Sequence, residues 1–122
     1  MIALEKSWGL AALFLIAACA TPDEMRTRTP DAEASSASPA KEVATCIVDR
    51  WENLGPWIGT PGVSIRETRS GYAVAWRNMM TGHTGMLADV GDLPTGSRTR
   101  YFVNKAPGLG AFLDAVKACQ QQ

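Results

Sequence analysis

The chain has 122 residues, 46% of them hydrophobic, with 12 basic and 12 acidic side chains and no net charge. That length suits one small domain. Zero net charge gives no support for nucleic-acid binding, which needs a concentrated basic face. A single histidine and three cysteines lack the paired ligand spacing of a zinc site, so no metal is expected.

The first seven residues carry Lys6 and the initiator amine, offset in part by Glu5. Trp8 to Ala18 then run without a charge. This run is too short for a bilayer span, which needs about 20 apolar residues. A basic start, a short apolar core and small residues at its end make a secretory signal. Its last residues, Ile16-Ala17-Ala18-Cys19, resemble the lipobox of bacterial lipoproteins, in which an aliphatic and two small residues precede a cysteine. The resemblance covers residues 1–20 only. It implies cleavage between Ala18 and Cys19, a thioether from Cys19 to diacylglycerol, and acylation of the new amine. Two or three acyl chains hold a protein to a membrane where one does not, at about 0.8 kcal/mol per buried CH₂. Ala20 stands where members of the family retained at the inner membrane carry aspartate. The resemblance therefore implies an outer-membrane anchor facing the periplasm.

Residues 19–40 are expected to form the lipidated cysteine and a disordered tether. Pro22, Pro30 and Pro39 interrupt it, its charges are of mixed sign, and it lacks aromatic and β-branched aliphatic residues. Such a segment buries too little apolar surface to offset its ordering entropy. As a flexible coil it would span about 25 Å. With Cys19 lipidated, Cys46 and Cys119 remain as an even pair. In the oxidising compartment that the resemblance implies, a disulfide is favoured over two buried thiols. It would close a loop of about 74 residues and stabilise by about 4 kcal/mol in the chain-entropy model.

Residues 41–122 are expected to form one small α+β domain. Ser38-Pro39 reads as an N-cap followed by proline at the first helical position. Val43, Cys46, Ile47, Trp51 and Leu54 then fall on one helical face, and Gly55-Pro56 stops the helix. Val63–Thr68 alternates as a half-buried strand, and Arg69-Ser70-Gly71 supplies a hairpin turn. Tyr72, Val74 and Trp76 mark a second strand. Met86 to Val90 and Arg98 to Val103 read as a third and fourth, with connections at 78–85 and 91–97. After Pro107, the residues Leu109, Phe112, Leu113, Val116 and Cys119 share one face of a closing helix. The order α-β-β-β-β-α predicts an antiparallel meander packed against two helices that the disulfide joins.

Catalytic signatures are absent from the sequence. His83 lies on a glycine-flanked turn, there is no nucleophile elbow or phosphate loop, and Asp89 and Asp92 do not form an obvious acid–base pair. No enzyme activity and no cofactor are expected. Arg98 and Arg100 alternate on one face of the last strand, with Arg66, Arg69 and Arg77 on or near the first hairpin. They offer either a binding strip for an acidic envelope protein, a lipid phosphate or a peptidoglycan carboxylate, or a charged face that guards sheet edges. The expected role is a non-catalytic binding or structural module; the alternative is a periplasmic inhibitor or immunity lipoprotein with a protruding loop at 78–85 or 91–97.

Overall fold

The computed structural model describes residues 21–54, 62–78, 81–104 and 110–121. The signal segment, Cys19, Gly55-Pro56, Trp57 and Pro107 to Leu109 lie outside the described residues. The elements are α1 (Pro22–Arg26), β1 (Ala32–Ser36), α2 (Ala40–Glu52), β2 (Val63–Thr68), β3 (Gly71–Arg77), β4 (Thr84–Leu93), β5 (Gly96–Val103) and α3 (Gly110–Gln120). The class is α+β, with a five-stranded antiparallel sheet ordered β1-β5-β4-β3-β2. The expected meander is its β2 to β5 portion.

The ordered structure begins before residue 41. Residues 21–36, expected as part of a tether, form α1 and β1 instead. Thr21 caps α1, its hydroxyl accepting from the Glu24 amide at 3.3 Å, with proline opening the helix and Asp23 and Glu24 in its first turn. Those acidic groups complement the helix dipole. Strand β1 has no strong β-former, yet it pairs with β5 along its whole length, from Ala32 opposite Tyr101 to Ser36 opposite Ser97. Side chains of the neighbouring segments fix its ends. Asp31 Oδ2 accepts from the Val103 amide at 2.7 Å, and the Ser97 hydroxyl donates to the Ser38 carbonyl at 2.9 Å. Backbone pairing thus supplies what side-chain propensity lacks.

The same contacts correct the start of α2. Pro39, with φ −62° and ψ 153°, holds the cap position without a side-chain bond. Ser38 belongs to the link from β1, its amide donating to Ser36 Oγ at 3.1 Å. The 91–97 connection is also shorter than expected. Gly91, Asp92 and Leu93 pair with Arg98, Ser97 and Gly96, leaving a hairpin turn at Pro94-Thr95. Gly96 permits this with φ +121°, and a β-carbon there would strike the Ser36 carbonyl. The 91–97 segment is thus a paired hairpin end, with Pro94-Thr95 at its exposed tip.

Helices α2 and α3 cover one sheet face. Val43, Ile47, Trp51, Phe112, Val116 and Cys119 meet Val74, Met86, Ala88, Val90 and Tyr101 there. Trp51 is 1% exposed and sits edge-on to Tyr101 and Phe112, at centroid distances of 6.2 and 5.3 Å. Cys46 and Cys119 form a disulfide between α2 and α3 with Cα atoms 5.8 Å apart. On the opposite face, α1 is the one helix that packs among the described residues: Met25 joins Ala73, Leu87 and Phe102 in a second, smaller cluster.

Tyr101 gives a pH prediction. Its phenol is 2% exposed, and its Oη has no hydrogen-bond partner among the described residues. Burial pushes its pKa far up, and the nearby Asp31 charge adds to the shift. The folded value therefore exceeds the unfolded value of about 10. The neutral phenol's contribution is complete below about pH 10 and is lost as pH rises toward the folded pKa. Tyr101→Phe should remove that alkaline loss, seen as a flatter unfolding free energy against pH than wild type. Near neutrality it should be neutral or stabilising, because a buried unpaired hydroxyl costs about 1–3 kcal/mol. A variant that loses stability in parallel with wild type above pH 10 would exclude Tyr101 as the source.

Candidate functional site

Strand register sorts the face that α1 half-covers into rows. Ala75, Leu87 and Phe102 form the first row, partly roofed by Met25. Arg66, Ala73, Asp89, Arg100 and Glu33 lie side by side in the second, one from each strand. Thr68, Gly71, Gly91, Arg98 and Ser35 make the third. The side chains change along the strands from apolar to charged to mostly small. In the third row Arg98 stands among Thr68, two glycines and Ser35.

The result is a cleft of about 720 Å³ lined by Arg26, Arg66, Arg69, Arg98 and Arg100, together with Glu67, Asp89 and Asp92. Five guanidinium groups thus face three carboxylates in a protein of zero net charge. Charge balance over the whole chain concealed a local segregation. Strands β2 and β5 are three spacings apart, so the Arg66 and Arg100 backbones stand about 14 Å from one another. Ala73 and Asp89 form the floor between them.

The carboxylates do not cancel this field evenly. Asp89, in the middle of the second row, is already engaged. Arg26 Nε and Nη2 donate to its two oxygens at 2.7 and 2.9 Å, while Nη1 donates to Asp23 at 3.0 Å. Hydrogen bonding to Asp89 raises the Arg26 pKa above its ordinary value. A bidentate, partly buried pair of this kind is among the stronger charge contacts. It pins α1 to the sheet and places Arg26 on the cleft wall. Arg100 leans toward Glu33 at 3.5 Å and lies 5.7 Å from the Phe102 ring centroid. Among the described residues, Arg66, Arg69 and Arg98 form no ion pair within 4 Å.

The sequence-predicted candidates fall into place unevenly. Arg98 and Arg100 do share one face, and Arg66 and Arg69 from the first hairpin join them across the sheet. Arg77 is exposed at the other end of β3, beyond a bulge at Trp76/Arg77, and does not line the cleft. Arg26 was missed because its segment was read as tether. The signal for it was the Thr21-Pro22-Asp23-Glu24 helix start. His83 is exposed on the connection between β3 and β4, its carbonyl accepting from the Asn78 amide at 2.9 Å. Trp76 packs toward Phe112 at 6.3 Å in the core.

A second concavity lies between α2 and α3 beside the disulfide, lined by Cys46, Asp49, Arg50, Asn53, Leu54 and Ala115 among others. Its charged groups are of mixed sign and exposed. Among the described residues, no group of three or more His, Cys, Asp or Glu side chains is arranged to hold a metal. No described helix is long and apolar enough to cross a membrane. Comparison with known proteins gives no match to a family model, a curated protein or a solved structure.

Proposed function

We propose that this chain is a lipid-anchored protein of the bacterial cell envelope whose α+β domain binds an anionic partner without catalysing a reaction. The run ending at Ile16-Ala17-Ala18-Cys19 supports the anchor on Cys19. Ala20 favours the outer membrane, with the domain in the periplasm. The Cys46–Cys119 bridge suits that oxidising compartment. The observation that carries the binding role is the cleft with Arg66, Arg69 and Arg98 free of ion-pair partners among the described residues. Guanidinium groups recognise phosphate and carboxylate through paired N–H donors. Envelope partners of that chemistry are lipid phosphates, peptidoglycan carboxylates and acidic protein surfaces.

Retention on phosphocellulose of the protein in neutral detergent tests this reading. A protein of zero net charge is held there only if its cations are segregated. Wild type should bind and elute with salt as screening sets in. The Arg66→Glu/Arg98→Glu variant should pass through, with its melting temperature within a few degrees of wild type. Both positions are exposed and unpaired, so each substitution should cost within about 0.5 kcal/mol. Arg100 is left unchanged because a glutamate there would face Glu33 across the strands. Wild type emerging unretained would overturn the binding role.

A further inference from the structure

Resting on the anchor just proposed, we infer that the arginine cleft faces the anchoring membrane and takes the phosphate of an anionic phospholipid from that same leaflet. Two observations converge on this orientation. The first is chain length. The N-cap of α1, Thr21, is two residues after Cys19 in sequence, and two residues reach at most about 7 Å. A lipid on Cys19 therefore holds α1 near the headgroup region, since the five residues of α1 add only about 7.5 Å along its axis.

The second is where α1 is fixed. Met25 packs on Ala73, Leu87 and Phe102, and Arg26 grips Asp89, so α1 lies on the same sheet face as the cleft. The helix that follows the anchor is itself one wall of the site. The layer of α2 and α3 covers the other face of the sheet and points away from the membrane. Had residues 21–40 been a free tether, the domain would have no preferred orientation; α1 and β1 within them supply one.

Charge fits this partner. Near an anionic bilayer surface each exposed arginine adds attraction that decays within a Debye length, roughly 8 Å at physiological ionic strength. Arg66, Arg69 and Arg98 rise from the sheet face on which α1 sits. A cleft of about 720 Å³ has room for a phosphate headgroup, and arginines contributed from β2 and β5 allow its phosphate to be held by more than one fork.

The test is arginine modification by phenylglyoxal, read residue by residue by mass spectrometry, on the full mature protein carrying its own lipid. The protein is reconstituted in phosphatidylcholine vesicles, with and without phosphatidylglycerol, and floated to confirm attachment. Arg66 and Arg98 should be modified severalfold more slowly with phosphatidylglycerol present. Arg50, exposed on α2 in the opposite layer, should react at the same rate in both. Equal modification of Arg66 and Arg98 in both vesicles overturns the inference while leaving the anchor intact. So does equal slowing by free inorganic phosphate on phosphatidylcholine vesicles, which would assign the cleft to a soluble anion. Failure to float with either vesicle overturns the anchor and this orientation together.

Discussion

Removing the Cys46–Cys119 bridge lowers the unfolding free energy by about 4 kcal/mol. The two cysteines are 73 residues apart in sequence and tie α2 to α3. Without the bridge, the unfolded chain regains the freedom of that loop, and the loss grows with the logarithm of loop length. For a domain whose total stability is of the order of 5–15 kcal/mol, this is a large fraction. Urea denaturation of the Cys46→Ala/Cys119→Ala variant reads it directly, as a lower midpoint. Cys46 is half-buried and Cys119 fully buried, so reductant should reach the Cys46 sulfur first. A variant within about 1 kcal/mol of wild type would show that the native helix contacts, and not the cross-link, hold the two helices together.

Trp51→Ala costs about 3–5 kcal/mol. The indole is fully buried where α2, α3 and the sheet meet, edge-on to Tyr101 and Phe112 at interplanar angles of 68° and 67°. Its Nε1 donates to the Phe112 carbonyl at 3.2 Å, a bond that also ties α2 to the first turn of α3. Truncation opens a cavity and leaves that carbonyl without its donor. Trp51→Phe largely separates the two effects, because it removes the donor and keeps most, though not all, of the apolar volume; it should cost about 1–3 kcal/mol. The order wild type, Trp51→Phe, Trp51→Ala should appear in chemical denaturation midpoints. Equal losses for the two variants would mean that the hydrogen bond, and not the packing, dominates at this position.

The elements legible in the sequence were those with strong periodicity. Val43, Ile47 and Trp51 marked α2, and Tyr72, Val74 and Trp76 marked the core face of β3, because alternation and helical spacing report directly on burial. The disulfide followed from cysteine parity together with the oxidising compartment that the lipobox resemblance implies. Segment 21–36 was opaque for a physical reason. Its strand, Ala32 to Ser36, is small and polar because it is an outer strand held by the backbone of β5 and by Asp31 and Ser97. Its helix is five residues long and buries one large side chain, Met25, too little for a periodic signal.

The candidate site was legible in its parts and not in its assembly. Arg98 and Arg100 could be assigned to one face of β5 from alternation alone. That Arg66 shares the row of Arg100 depends on the register of three strand pairings, which no local pattern encodes. Arg26 entered only through the tertiary contact with Asp89.

The anchor and the bridge are read together by the intact mass of the mature protein extracted from membranes, taken before and after reduction. The chain should begin at Cys19, be heavier than its polypeptide by the mass of diacylglycerol and an amide-linked acyl chain, and gain about 2 Da when the Cys46–Cys119 bridge is reduced. A chain without lipid on Cys19 would contradict this reading, because the cleft would then have no fixed relation to a membrane.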